Sequence, residues 1–372
     1  IHTFELIIDV NSNLSESRKD NNNATIELLV VEPYAAQVDI PNNIPRINPG
    51  TSEIVSISML STGSRTEDWT LTWDDSNLPD GWSIDPDINQ NLNPTLVPGI
   101  GNDVDFVVSI PQSALGDDNS YVIMTLTLDL DQNITFDTIL PLEVLRTRGL
   151  TIVGPSGLDS TSGYGRPGDI ATAWMMVENL GNAYESTTSI DWTAPSWGGT
   201  PTLHDQTGTE VFSLNLAPGE QKELFVHLNT PQNIQLSSVT TSTMTMCIGS
   251  GPETLCEDLF VNLTASAVTI QPTHQRTLPN QTLTWQVDGT IPTDGKISWN
   301  TASANMIHTN WVWTTDGDLN VNGSNIEVSG TVDAPFSGNI YLELPVNAIP
   351  QRHYFQTDSL NDPNHNLDFT MQ

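Results

Sequence analysis

The chain has 372 residues, of which 45 are Asp or Glu and only 11 are Lys or Arg, giving a formal net charge of -34. A field of that sign repels phosphate backbones and anionic lipid headgroups, which excludes nucleic-acid binding, and no uninterrupted apolar run of about 18 residues is present to insert into a membrane. Hydrophobic residues make up 37% of the chain and include ten Trp, enough for several separate cores and too much for disorder, and the length suits about three units of ordinary domain size.

The chain opens without Met on Ile1-His2-Thr3-Phe4, already strand-like, and is expected to continue a longer polypeptide with any export signal or anchor outside it. Phe4-Glu5-Leu6-Ile7-Ile8-Asp9-Val10 and residues 26–31 read as two strands. Between them lie Leu14-Ser15-Glu16-Ser17 and Asp20-Asn21-Asn22-Asn23-Ala24-Thr25. These residues resemble the final hairpin of a CARDB domain, the cell-adhesion-related module of bacterial and archaeal surface proteins. The resemblance covers residues 1–33 and implies that the earlier strands of that domain are missing from this chain. An isolated hairpin is marginal in water, so the apolar face of Phe4, Leu6 and Ile8 with Ile26, Leu28 and Val30 needs a partner. Missing strands of the same polypeptide, the adjacent domain, or a sheet edge in a neighbouring copy would each serve.

From residue 34 onward the sequence repeats itself. Asn48-Pro49-Gly50 leads into an alternating strand at 54–60, a turn at Thr62-Gly63-Ser64, and Trp69-Thr70-Leu71-Thr72-Trp73. The same order returns as Arg166-Pro167-Gly168, a strand at 170–178, Asn179-Leu180-Gly181-Asn182 and Thr188-Ser189-Ile190-Asp191-Trp192. Leu96-Val97-Pro98-Gly99 before a strand ending in Pro111 is matched by Leu216-Ala217-Pro218-Gly219 before a strand ending in Pro231. Short alternating strands, Pro-Gly turns and a Trp in a central strand describe a two-sheet meander. A third, more divergent unit begins near Val268-Thr269-Ile270, with Trp311-Val312-Trp313 as its candidate core strand. The expected fold is all-β: immunoglobulin-like sandwiches at 34–147, 148–266 and 267–372, joined by short segments into an elongated rod. With Leu78-Pro79-Asp80-Gly81-Trp82-Ser83, the 34–147 unit resembles the Ig-like modules appended to secreted glycosidases and archaeal surface proteins. The 148–266 unit departs from that pattern, offering Ser196-Trp197-Gly198-Gly199 instead. The resemblance carries no catalytic residue and implies a spacer, adhesive or scaffold role.

Cys247 and Cys256 flank Gly249, Gly251 and Pro252, so they face one another across a hairpin end and form either a disulfide or two free thiols. A disulfide would place the chain in an oxidising compartment, extracellular or at the cell surface. The acidity fits solubility in a salty medium, with specific cation binding as the narrower reading. No cofactor is required; calcium is the candidate ion, at Asp316, Asp318, Asn320 and Asn322. There the twelfth position counted from Asp318 is Ser329 where a bidentate Glu is needed, and the alternation around Asn322-Gly323 also reads as a hairpin. Asp129-Leu130-Asp131-Gln132-Asn133 reads as a second hairpin tip. Glycosylation sequons fall at Asn13, Asn23, Asn133, Asn262, Asn280 and Asn322. Trp82, Trp197, Trp311 and Trp313 either stack on sugars or pack in cores. The seven histidines are scattered singly and read as surface or packing residues. Neither Gly-x-Ser-x-Gly nor His-Glu-x-x-His occurs. The expectation is a non-catalytic structural or adhesive protein, a stalk, surface-layer or filament component whose partners are other copies of itself or other surface proteins. The alternative is a spacer or carbohydrate-binding region of a larger secreted enzyme.

Overall fold

The computed structural model of the chain describes residues 2–7, 23–28, 32–301, 311–347, 349–358 and 366–372. They form strands almost throughout, with two single-turn 3-10 segments, Pro155–Gly157 and Gly251–Glu253, and no α-helix among the described residues. Strands β1 (His2–Ile7) and β2 (Asn23–Leu28) pair antiparallel with Phe4 opposite Ile26. That is the expected first hairpin; Ile8, Val30 and Asn13 lie outside the described residues.

The next nine strands are β3 (Ala36–Asp39), β4 (Arg46–Ile47), β5 (Ser52–Ser61), β6 (Glu67–Asp74), β7 (Ser83–Pro86), β8 (Thr95–Leu96), β9 (Gly101–Ser109), β10 (Asn119–Leu128) and β11 (Asp131–Val144). They order into a sheet β3-β5-β9-β7 facing a sheet β4-β11-β10-β6-β8. Period-two alternation makes this possible: Val55, Ile57 and Met59 from one sheet and Val122, Met124 and Leu126 from the other all point inward and are buried. Trp69 on β6 is enclosed in that core beside Phe136, while Trp73 packs at its margin against Phe106. Asp129 and Leu130 form the tip of the β10–β11 hairpin, as expected.

The following nine strands are β12 (Leu150–Val153), β13 (Ser160–Gly165), β14 (Ile170–Asn179), β15 (Glu185–Trp192), β16 (Thr202–His204), β17 (Asn215–Leu216), β18 (Gln221–Asn229), β19 (Val239–Ile248) and β20 (Leu255–Ala265). Their orders, β12-β14-β18-β16 and β13-β20-β19-β15-β17, reproduce the first sandwich strand for strand. The reproduction includes the parallel pairing of the second strand with the last, β4 with β11 and β13 with β20. These are the A-B-E-D and G-F-C layers of an immunoglobulin-like sandwich. The Pro-Gly turns lead into the third strand of each frame, β5 and β14: Gly50 and Gly168 take φ of 72° and 87°, a region that a side chain disfavours. One feature belongs to the second copy alone. Gly163 and Tyr164 pair with Ala173 and Thr172, joining the two layers along one side. A Cβ on Gly163 would stand 2.1 Å from the Thr172 carbonyl oxygen, so glycine is what permits that approach.

The third sandwich comprises β21 (Val268–Gln271), β22 (Gln275–Thr277), β23 (Thr282–Thr290), β24 (Lys296–Asn300), β25 (Val312–Thr315), β26 (Asn320–Asn322), β27 (Asn325–Ser329), β28 (Pro335–Glu343), β29 (Arg352–Phe355), β30 (Thr357–Asp358) and β31 (Leu367–Met371). One sheet runs β21-β23-β28-β25; the opposite layer is divided into β22-β31-β29 and β26-β27-β24-β30. The parallel second-to-last pairing recurs between β22 and β31. Trp285 on β23 and Trp299 on β24, both 0% exposed, fill the centre. This corrects the expectation for Trp311 and Trp313. Both are half-buried: among the described residues β25, which carries Trp313 and follows Trp311, pairs with β28 alone, and the two rings cover the rim of the core.

The chain divides into two compact units, residues 1–146 and 147–372, so the second and third sandwiches belong to one body. Cys247 and Cys256 are directly opposed on β19 and β20 and joined as a disulfide. Replacing both by Ser is expected to lower the stability of the 147–372 unit by about 2–3 kcal/mol, the value of closing so short a loop. Mass spectrometry of protein purified without reductant should find no free thiol, and thermal scans of the double variant should leave the transition of the 1–146 unit where it was.

Candidate functional site

The repeat makes it possible to ask what one copy does that the other does not. On the outer face of the A-B-E-D sheet, β5 and β9 of the first sandwich set Ser52 opposite Ser109 and Ser56 opposite Asp105. The hydroxyls of both serines hydrogen-bond across the strands, to Ser109 and to the Asp105 carboxylate. In the second sandwich the corresponding pairs on β14 and β18 are Ile170 with Asn229 and Trp174 with Phe225, and Met176 lies opposite Glu223. A solvated serine and aspartate face has become an aromatic and thioether face. Trp174 is only 3% exposed although its neighbours Ala173 and Met175 are the ones that face the sandwich core.

The third sandwich supplies the cover. His274, just before β22, lays its ring 4.4 Å from that of Trp174 and is itself 1% exposed. Arg276 on β22 donates from Nη1 to Gln221 Oε1 at 2.8 Å and to Met176 Sδ at 3.0 Å, and its Nε lies 3.9 Å from Glu223 Oε1. Glu223 accepts the Trp174 indole N–H at 3.2 Å through its other oxygen. Behind this seam His274 Nδ1 lies 3.3 Å from Asp368 Oδ1, and its Nε2 lies 3.1 Å from Thr370 Oγ1. Arg352 Nε donates to both oxygens of Asp368, at 2.9 and 3.1 Å. Burial alone would raise the Asp368 pKa, but its partners His274 and Arg352 together hold the carboxyl below its ordinary range. Burial likewise works against the charge of Arg352, and the Asp368 carboxylate outweighs it and raises the guanidinium pKa. The seam is therefore aromatic at its centre, with its buried charges mutually paired.

A histidine pair lies further along the same outer face. His204 on β16 stacks on His227 on β18 with ring centroids 4.0 Å apart. His204 Nδ1 donates to the Gly208 carbonyl, which can only accept, at 3.1 Å, and its Nε2 lies 2.9 Å from the Thr202 hydroxyl. Burial, with the neighbouring His204 as the lesser cause, lowers the His227 pKa to about 4.

The sequence-predicted positions are dispersed. Asp316 accepts hydrogen bonds from Asn339 and Tyr341, which hold its carboxyl below the usual range, with the Tyr341 hydroxyl the larger cause. Asp318 accepts the Ser337 N–H. Asn320 and Asn322 belong to the β26–β27 hairpin, where Asn322 donates to Glu327. The hairpin around Asn322-Gly323 spans 320–327, while Asp316 and Asp318 bond to β28. Among the described residues no group of three or more His, Cys, Asp or Glu side chains that could hold a metal ion is found. Asn133, Asn280 and Asn322 are exposed at turns or hairpin ends, Asn262 is half-buried in β20 and bonded to Thr241, and Asn23 begins β2. Trp82 is buried, and Trp197, Trp311 and Trp313 pack half-buried against cores, so none of the four is an exposed platform. The seam residues were missed because His274, Arg352 and Asp368 are far apart in sequence. One local signal existed: Trp174-Met175-Met176-Val177 is an apolar run where the first copy alternates, the mark of a strand covered on both faces.

The sequence matches no family model and no curated protein. Among solved structures, domains 4–9 of the surface layer protein SbsC align over 90% of this chain and 47% of their own, at 11% identity and a TM-score of 0.27. The Dpr2 Ig1–Ig2 structure in complex with DIP-Theta Ig1–Ig3 aligns over 90% of this chain and 98% of its own, at 11% identity and a TM-score of 0.24. A PapD-like domain of human CEP192 aligns over 31% of this chain and 84% of its own, at 12% identity and a TM-score of 0.22. At such scores the immunoglobulin-like assignment rests on the strand order of the chain itself.

Trp174→Ser, which restores the residue type of the first copy, is expected to destabilise the 147–372 unit by about 3 kcal/mol. It should also split the calorimetric transition of that unit into two. The acid dependence has two limbs. His227, with its pKa depressed to about 4, binds more protons unfolded than folded between about pH 6.5 and 4, so stability is complete above that window and declines through it. Asp368, also depressed, contributes stability at neutral pH that is lost as pH falls below the ordinary carboxyl range. Urea midpoints measured against pH should show both limbs, and His227→Gln should abolish only the first.

Proposed function

We propose that this chain is a non-catalytic structural or adhesive protein of the cell exterior, a stalk, surface-layer or filament component built from tandem immunoglobulin-like modules. The observation that carries the reading is the seam. The second copy of a repeated frame differs from the first where its outer face meets the third sandwich, and its buried charges are spent on holding two modules as one body. The Cys247–Cys256 disulfide supports an oxidising, extracytoplasmic location. The β1–β2 hairpin, read as resembling the end of a CARDB-like domain, supports an adhesive role at the cell surface. Its partners would be other copies of itself or other surface proteins.

Thr370, His274 and Asp368 stand in the order hydroxyl, imidazole, carboxylate that a hydrolytic triad takes. Here the carboxylate that would stabilise an imidazolium is already bonded through both oxygens to Arg352, which favours a structural role for the three. A second reading, a spacer or carbohydrate-binding region of a larger secreted enzyme, is favoured by the open groove beside the seam.

Antibodies raised against the chain should label intact, unpermeabilised cells of the source organism. Any residual ester or glycoside hydrolysis by the purified protein should be unchanged in Thr370→Val; turnover abolished by that change would overturn the non-catalytic reading.

A further inference from the structure

The outer face of β14 and β18 is divided by the seam. Its Trp174 and Met176 end is covered, whereas its other end, with Ile170, Thr172, Phe225 and His227, lines a groove of about 490 Å³. Gln271 and Pro272 of the third sandwich form the opposite wall, and the loop after β16 brings Asp205 and Gln206 to the groove. That size lies within the range of small-ligand sites. The two walls come from different sandwiches of one compact unit, so the groove is held open by the same contacts that bury Trp174 and is organised before any ligand arrives.

We propose that this groove binds a neutral carbohydrate. Phe225 and Ile170 on one wall and Pro272 on the other give apolar surfaces of the kind against which the C–H face of a pyranose packs. The Gln206 and Gln271 amides and the Asp205 carboxylate supply donors and acceptors for neighbouring hydroxyls. Asp205 is fixed in place, since the Thr207 N–H at 2.8 Å, the Thr207 hydroxyl at 2.6 Å and the Thr209 N–H at 2.9 Å all end on its Oδ1. Those bonds, the Thr207 hydroxyl first among them, hold its carboxyl below the usual range and keep it an acceptor.

Among the described residues no Lys or Arg lines the groove, so an acidic ligand would meet only the Asp205 charge and be repelled. With His227 neutral above its pKa of about 4, the groove gains no positive charge at neutral pH. A quaternary ammonium ligand requires several aromatic faces around the cation, and among the described residues the only Phe, Tyr or Trp ring lining this groove is that of Phe225. The repeat itself argues that the wall is particular to the second copy: the position of Phe225 is Asp105 in the first sandwich and that of His227 is Val107. This assignment goes beyond the structural role and does not depend on it.

The test is isothermal titration of the full chain with tetrasaccharides of glucose, mannose, galactose and N-acetylglucosamine. At least one should bind with a Kd of about 1 mM or tighter, and Phe225→Ala and Gln271→Ala should each weaken that binding by about tenfold or more. Gln271 is exposed, so its variant decides the matter should Phe225→Ala fail to fold. Absence of binding across the panel overturns the proposal, as does binding undiminished by Gln271→Ala, or tetramethylammonium binding more tightly than every sugar. None of those results would alter the cell-labelling outcome that tests the structural role.

Discussion

The contact between the indole of Trp174 and the imidazole of His274 is the point on which the arrangement of residues 147–372 depends. Trp174 is a core-sized side chain on the wrong face of its strand, and left in water it would be a large exposed apolar surface. His274 covers it, and everything around the pair follows from having buried a polar ring there. Asp368 lies against the imidazole, Arg352 bonds the carboxylate, and Thr370 lies against the second ring nitrogen. At the rim Arg276 binds Gln221 and Met176 and lies near Glu223. Two of the 11 cationic residues in a chain of net charge -34 are committed to this seam, where an unpaired buried carboxylate would be most costly.

The two copies of the frame show how little sequence change is needed to alter what a sandwich can do. Both keep the Pro-Gly turns with a left-handed glycine, the parallel second-to-last pairing, and inward-pointing residues at every other position. Neither set of core residues distinguishes a free face from a covered one, because the core faces the other way. Exchanging Ser56 and Asp105 for Trp174 and Phe225 leaves the fold untouched and converts a solvated surface into a docking surface whose uncovered end is a groove. Function in such a protein lies on the outward positions, which the fold leaves free to vary.

Much was legible in the sequence. The alternation in Tyr121–Leu128 and in Glu223–Leu228 depends only on the two-residue period of a strand, so strands and their inward faces could be read directly. Pro49-Gly50 and Pro167-Gly168 marked turns because glycine alone takes the backbone angle there without strain. Cys247 and Cys256 could be paired because their spacing across Gly249 and Gly251 set them opposite one another. In the third unit the same reasoning chose Trp311 and Trp313 for the core, because it had no means of telling an edge strand from a central one. The centre went instead to Trp285 and Trp299.

The sequence by itself determined the all-β class, the repeat and its turns, and it set the two cysteines opposite one another, since strands, turns and that hairpin end each arise from residues close together along the chain. Tertiary structure alone decided the seam and the groove. His274, Arg352, Asp368 and Thr370 acquire a common purpose only because β22 pairs in parallel with β31 across nearly a hundred residues and β29 lies on the other side of β31. The stacked His204 and His227, and the wall that Pro272 raises opposite Phe225, depend in the same way on strand pairing and module docking. Local periodicity carries no information about either, because hydrophobic burial records that a face is covered and not which distant residues cover it.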